Sequence, residues 1–317
     1  ATVASDLLGR LRAADLIQPT LDGGHNTWIC KPGSSSRGRG IKLFDDVEEI
    51  LKFATKRKRS CVAQKYMEQP LLIRGKKFDI RIWVLVVSWN PLTVFTFDPC
   101  YARFCTSDHD LNDLRNKYSH LCNRCVQKTS GEYNGDGEEE GEMAHMWDSD
   151  ALAAHIDKVF GASTWQNRVF PGIRECIVRT LHCAQDGMTD YDRKATLEWF
   201  GFDLMIDASL HCWLCEVNIS PDMACVTEVL TRLVPEATHH LVALLMGQDD
   251  AKSADSGRWK LLFRGKQVPV ALLRQRQSYV KLKFAEMKAN QPFSLRGALQ
   301  QKLGHEIYLQ LFHQRDE

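Results

Sequence analysis

Two short strand-like runs near residue 200 carry the side chains with the clearest chemical meaning in this 317-residue chain. Phe200-Gly-Phe-Asp-Leu-Met-Ile206 is followed, after the polar turn Asp207-Ala-Ser-Leu210, by His211-Cys-Trp-Leu-Cys-Glu-Val-Asn218. Side chains alternate along a strand, so Glu216 and Asn218 share a face, and a hairpin brings Asp203 roughly alongside them. Three oxygen donors then occupy one patch. Mg2+ is a hard cation that prefers oxygen and is commonly held by one or two carboxylates together with nucleotide phosphates. The patch therefore predicts ATP chemistry.

A second group of charges lies on a long apolar run. Phe78 through Val87 has the period of a strand, with Phe78, Ile80, Ile82 and Val84 on one face and Lys77, Asp79 and Arg81 on the other. Buried charges are costly without partners, so two cations flanking a carboxylate on a greasy strand point to function, against the alternative of a structural ion-pair ladder. Tyr101 and Arg103 alternate in the same way on the next strand, and Arg103 extends the cationic wall. A third group is the loop Gly33-Ser-Ser-Ser-Arg-Gly-Arg-Gly40, set between strands at Trp28–Lys31 and Ile41–Phe44. Its free backbone N–H groups suit phosphate oxygens, and Lys31, Arg37 and Arg39 add positive charge. It lacks the GKS or GKT ending of a P-loop and is followed by a strand, so it reads as a flap over a nucleotide; a flexible basic hairpin has the same composition.

The elements that must hold these groups alternate between strands and helices. Asp45-Asp-Val-Glu48 reads as a capping box opening a helix to about Ala54, and Lys56-Arg-Lys-Arg59 after it reads as a solvated turn. Cys61–Tyr66 and Pro70–Ile73 are strand-like, and Arg74-Gly-Lys-Lys77 is a tight turn. Helices are expected from about Asp150 to Phe160, Gly172 to Ala184, and Thr227 to Gly247, with further strands at Trp259–Phe263 and Tyr279–Phe284. The acidic insert Gly131–Glu142 lacks apolar residues and is expected to be a disordered loop.

Composition narrows the class. With 44% apolar and 26% charged residues the chain is ordinary for a globular protein, and no apolar run reaches the roughly 18 residues of a membrane span. Eleven cysteines and no signal-peptide pattern predict reduced thiols in an intracellular setting. The net charge of +1 hides a segregation: residues 1–130 hold 21 basic and 13 acidic side chains, residues 131–250 hold 7 and 22, and residues 251–317 hold 13 and 5. A basic half facing a carboxylate-rich segment suits a cleft for anionic substrates, and equally a solvated pattern without a role. The pairs Cys122/Cys125 and Cys212/Cys215 have zinc-like spacing, but the second pair lies on a strand and projects to opposite faces. No serine nucleophile elbow and no His-Glu-x-x-His motif occurs.

Five blocks, in order, resemble the tubulin-tyrosine-ligase-like family of ATP-grasp ligases. They are Trp28-Ile-Cys-Lys-Pro32 with Arg37-Gly-Arg-Gly-Ile41; Gln64-Lys-Tyr-Met67 with Pro70-Leu-Leu72; Gly75-Lys-Lys-Phe-Asp-Ile-Arg81; His120-Leu-Cys-Asn123 with Gln127-Lys128; and Gly201-Phe-Asp203 followed by Glu216-Val-Asn218. Lys31-Pro-Gly with Ser36-Arg-Gly-Arg-Gly40, the segment Trp89–Val94 and Cys122 are most similar to the glycylase branch.

The resemblance implies an α+β ATP-grasp fold with nucleotide between two lobes, and the N-terminal domain of the family is missing, as in a fragment. The expected division is a partial central lobe at residues 1–63, a larger lobe at 64–248, and a basic extension at 249–317. It further implies that Gln64, Lys65, Tyr66 and Met67 form the adenine hinge, that Lys31 with Arg37, Gly38, Gly40 and Ile41 contacts ATP, and that Asp79 lies near the ribose. Asp203, Glu216 and Asn218 match the Mg2+ ligands; Lys77, Arg81, Arg103, Asn123 and Lys128 match the wall holding the transferred phosphate and the acceptor carboxylate. The implied reaction joins free glycine to glutamate side chains of acidic tubulin tails, at microtubules of the cytoskeleton, in a cilium or flagellum, with no nucleic acid or membrane as partner. Glutamate as the added amino acid, a non-tubulin acceptor, and a catalytically inactive microtubule-binding fragment are the alternatives.

Overall fold

A computed structural model describes residues 23–33, 37–56, 60–133, 145–185, 188, 197–246 and 257–273. The strand expected at Tyr279–Phe284, most of the acidic insert and Ser36 lie outside the described residues. The structure mixes helices with antiparallel sheets, an α+β arrangement. It divides into two compact units, one of residues 1–78, 104–133 and 207–209, the other of residues 79–103, 134–206 and 210–317. The units are not consecutive blocks: residue 64 lies inside the first, and the strands Lys76–Trp89 and Tyr101–Phe104 each have residues in both.

In the first unit, β1 (Trp28–Pro32) is flanked by β2 (Lys42–Phe44) and β3 (Cys61–Lys65) in an antiparallel sheet of order β2-β1-β3. The register pairs Lys31 with Val62 and Ile29 with Gln64. Between β2 and β3 lies α1 (Val47–Lys56), whose first turn is capped by Asp46: its carboxylate accepts from Glu49 N at 2.9 Å, one residue later than the capping box read from the sequence. β4 (Leu72–Ile73) and the start of β5 (Lys76–Trp89) form a hairpin closed by Arg74 and Gly75, both at positive φ (55° and 75°) as a primed two-residue turn requires. Two single-turn helices follow, α2 (Lys117–His120) and α3 (Arg124–Gln127). Ile29, Leu43, Tyr66, Leu121 and Val126 form this unit's apolar core.

The second unit is built on a sheet in which β5 is central. β6 (Leu92–Phe97) returns along it through a hairpin, β9 (Glu198–Ile206) runs along its other side, and β10 (Cys212–Asn218) pairs with β9. β11 (Trp259–Arg264) adds to β6, giving the order β10-β9-β5-β6-β11. β7 (Tyr101–Phe104) pairs with β8 (Met146–Asp148), which leads into α4 (Ser149–Phe160), capped by the Asp148 carboxylate on Ala151 N at 2.9 Å. A π-helical turn at Trp165–Val169 runs into α5 (Phe170–Gln185). In α6 (Glu228–Met246), Leu230, Leu233, Val234 and Ala237 fall on one face and pack with Trp83, Leu85, Phe97, Tyr101 and Trp259.

Both faces of β5 are covered. Phe78, Ile80, Ile82 and Val84 are buried as the period of two predicts, and so are Lys77, Arg81, Trp83 and Leu85 on the alternate positions. The polar face read from the sequence is thus an interior face, and its charges need partners there. No helix among the described residues is long and apolar enough to cross a membrane.

Candidate active site

The candidate residues fall into two groups, one in each unit. In the second unit the register of three strands does the positioning: Arg81 on β5 lies opposite Asp203 on β9, and Glu216 on β10 lies opposite Asp203 from the other side. A bulge between Leu214 and Glu216 shifts the β10 register, and two residues on, Asn218 pairs with Gly201. Period-two alternation predicted this patch of Asp203, Glu216 and Asn218, and the paired register is what brings them side by side.

Asp203 is the hub. Arg81 donates to it through Nε and through Nη2, the latter at 2.8 Å, and Arg103 Nη2 reaches its Oδ2 at 3.1 Å. Asn218 Nδ2 donates to the same oxygen at 3.2 Å and to Gly201 O at 3.3 Å. Arg103 also holds Asp79 in a fork, Nε to Oδ1 and Nη2 to Oδ2 both at 2.7 Å. Two guanidiniums and two carboxylates therefore share one water-poor cluster, with Arg81 and Asp203 only 8% and 3% exposed. Gly201 makes the room: a Cβ there would sit 3.1 Å from Arg81 Nη1 and 3.0 Å from Pro221 Cβ.

Charge follows from this packing. Burial opposes ionisation of Asp203, yet Arg103, Arg81 and a hydrogen-bond contact with Glu216 hold its carboxyl well below the usual range. Burial pushes the Asp79 carboxyl up, against the pull of Arg103. Arg103, although buried, is held well above its ordinary value by Asp203 and Asp79.

The donor set fits Mg2+. Asp203 and Glu216 are within hydrogen-bonding reach of each other, and two carboxylates that close repel unless a proton or a cation lies between them. Glu216 and the amide of Asn218 are hard oxygen sources on an edge strand, and of the four donors named above three converge on Asp203 Oδ2 and one on Oδ1, which leaves Oδ1 a lone pair for a metal. Among the described residues no group of three or more His, Cys, Asp or Glu side chains gathers, here or elsewhere; the donors at this site are two carboxylates and an amide.

The first unit collects the remaining candidates. Arg37, Gly38 and Gly40 all have positive φ (61°, 72° and 73°), and a Cβ on Gly38 would fall 2.6 Å from Val126 Cγ2 and 3.5 Å from Asn123 Oδ1. The basic loop is thereby seated on the segment that carries Asn123, with only a glycine fitting at the contact. Lys128 is exposed at the C-terminal cap of α3. Lys31 lies on β1, and Ile41 packs beside that unit's core.

The segment expected to form the hinge, Gln64 to Met67, is anchored by its side chains. Lys65 Nζ donates to Glu68 Oε1 at 2.5 Å and to Thr27 O at 3.1 Å, while Glu68, 1% exposed, also accepts from His25 N at 2.8 Å and Thr27 N at 2.6 Å. Tyr66 N donates to Thr27 O at 3.0 Å and its side chain is buried. Its hydroxyl meets Lys77 Nζ at 2.9 Å and His120 Nδ1 at 3.0 Å, and Lys77 donates further to His120 O at 2.7 Å. Burial works against a charged Lys77, but Tyr66 and the thiols of Cys122 and Cys105 hold its pKa above the ordinary lysine value.

Sequence reasoning passed over several residues that build this site. Glu68 fixes Lys65; Gln127 accepts from Thr106 N and Oγ1 at 2.8 Å each and donates to Leu121 O at 2.6 Å, bracing the His120–Asn123 segment. Gln127 stood out only as part of the Gln127-Lys128 block, and nothing in the local sequence marked Glu68. Cys122, read for zinc spacing with Cys125, has its sulfur 3.6 Å from that of Cys105.

The profile of the tubulin-tyrosine ligase family matches residues 5–253. Tubulin glycylase 3C of Tetrahymena thermophila is 35% identical over 257 residues, 79% of this chain and 24% of that protein. Tubulin monoglycylase TTLL3 of Homo sapiens is 35% identical over 270 residues, 84% of this chain and 34% of that protein. Protein monoglycylase TTLL8 of Homo sapiens is 35% identical over 264 residues, 81% of this chain and 30% of that protein. The chain thus spans about a quarter to a third of the length of these relatives. By profile and by these likenesses, the chain belongs to the tubulin-tyrosine ligase family.

Proposed function

We propose that this chain carries the catalytic core of an ATP- and Mg2+-dependent ligase that joins glycine to glutamate side chains in the acidic tails of tubulin. The observation that carries the reading is Asp203, buried among Arg81, Arg103 and Asn218 and within reach of Glu216. Relatives named as tubulin glycylases support glycine and tubulin as substrates, and the proposal places the reaction at microtubules of a cilium or flagellum.

A carboxylate at pH 7 does not acylate an amine. In the proposed reaction the acceptor glutamate attacks the γ-phosphorus of ATP, the bond to the β-phosphate oxygen breaks, and ADP leaves an acyl phosphate on the acceptor. The glycine amine then attacks the acyl carbon; the C–N bond forms, the C–O bond to phosphate breaks, and one ammonium proton is released. Asp203, Glu216 and Asn218 would hold Mg2+, which when bound would neutralise charge on the phosphate oxygens. Arg81 and Arg103 add positive charge where phosphate oxygens gain negative charge, and Lys77 offers a third fixed cation. The loop from Arg37 to Ile41 with Lys31 binds the phosphates, Asn123 and Lys128 orient the transferred group, and Gln64 to Met67 receive the base. Asp79 anchors Arg103 and lies near the ribose. No side-chain nucleophile is required.

Incubation of the protein with tubulin, ATP and labelled glycine or labelled glutamate tests the reading. Glycine is expected to enter the tubulin tails in an ATP-dependent way. Incorporation of glutamate alone, or of neither, overturns it.

A further inference from the structure

Lys77 is a lysine with almost no access to water, 4% exposed, and its immediate partners are all within the first unit. The direction of each hydrogen bond around it can be worked out. His120 Nε2 lies 3.0 Å from Asp113 O, and a carbonyl only accepts, so Nε2 carries the ring proton. Nδ1 is then an acceptor, and the Tyr66 hydroxyl at 3.0 Å must donate to it. With its proton committed to His120, the Tyr66 oxygen presents its lone pairs to Lys77 Nζ at 2.9 Å. Lys77 gives a second proton to His120 O at 2.7 Å, so the same residue closes the chain from its backbone.

We propose that Tyr66 and His120 are positioning residues for Lys77: a one-way chain from Lys77 through Tyr66 and His120 to the Asp113 carbonyl fixes the ammonium in place and keeps it charged. Its value for phosphate transfer rests on the ligase reading given above. Other titratable groups facing Lys77 are His109, Cys105 and Cys122. None of them offers Lys77 a hydrogen-bonded oxygen. His120 itself stays neutral at physiological pH, burial having lowered its pKa to about 4, and only the neutral ring can accept from Tyr66.

The test is a pH titration of the lysine side chains by 13Cε NMR on the whole chain, paired with ATP binding in Mg2+ at each pH. In the wild type, Lys77 should remain an ammonium beyond the ordinary lysine value of about 10.4. In Tyr66→Phe, it should titrate at least about one unit lower, a roughly tenfold loss of the charged form at alkaline pH. The alkaline limb of ATP affinity should move acidward with it. His120→Leu should shift Lys77 the same way, and His120→Asn, which returns an oxygen acceptor near the Nδ1 position, should recover most of the shift. Identical Lys77 titration in all four proteins overturns the proposal. A wild type that binds no ATP overturns the ligase reading instead, and the NMR titration then decides the positioning role on its own.

Discussion

Replacing Asp203 by asparagine is the perturbation whose consequence can be worked furthest from the geometry. Asp203 and Asp79 together balance Arg81 and Arg103 in a nearly dry cluster, so the neutral amide leaves one guanidinium charge without a counterion. Breaking one side of a buried ion pair costs about 3–5 kcal/mol, and because asparagine keeps the shape and one acceptor oxygen, the lower figure of about 3 kcal/mol is appropriate. For a domain of this size that corresponds to a fall in melting temperature of about 6–12 °C, read by circular dichroism at pH 7. The dependence on pH has a definite sign. Asp203 has a depressed folded-state pKa, so its contribution is complete above the unfolded value of about 3.9 and is lost as the solution is acidified below it. The gap between the two proteins should therefore shrink toward pH 2. Adding Arg103→Met to Asp203→Asn restores neutrality, so the double variant should be less destabilised than the sum of the two singles. Strict additivity, or an Asp203→Asn variant that melts within about 1 °C of wild type, would refute the charge balance inferred here.

Other outcomes follow from single contacts. Gly38→Ala should weaken ATP binding and destabilise the chain by about 1–2 kcal/mol in urea titration, because the new methyl meets Val126 and φ is 72°. Glu68→Gln should destabilise by roughly 1.5–3 kcal/mol, since three donors, one of them the Lys65 ammonium, converge on its carboxylate. His120, neutral in the fold with a pKa of about 4, contributes stability that is complete above its unfolded value of about 6.5 and lost as pH falls through 4. Urea midpoints measured across that window should drop with acidification, and His120→Asn should remove most of the slope.

What the sequence made legible was local. The period of two along residues 211–218 with a polar turn before it specified a hairpin, but it is the bulge between Leu214 and Glu216, for which the sequence carried no signal, that sets Glu216 rather than Cys215 opposite Asp203. Helix α1 was also readable, because a cap and an apolar spacing lie within a few residues of each other, whereas the Asp148 cap of α4 emerged only in the structure. The partners of the buried charges were not. Arg81 is 122 residues from Asp203, and nothing in the spacing of β5 says which carboxylate will meet it. Lys77 looked like one more member of an open cationic face; its contacts with Tyr66 and His120 come from segments that only the tertiary fold brings together. β6 was also hidden: Leu92–Phe97 follows Asn90-Pro91 so closely that the hairpin return had no turn signal of the usual Asn-Gly kind.

Calorimetric titration of ATP into the whole chain, with Mg2+ present and with Mg2+ chelated, reaches the central claim most directly. The wild type should bind ATP tightly only with Mg2+, and Glu216→Gln should lose that dependence while retaining its fold. Equal affinity with and without Mg2+, or an unchanged Glu216→Gln protein, would contradict a metal-held nucleotide at Asp203, Glu216 and Asn218.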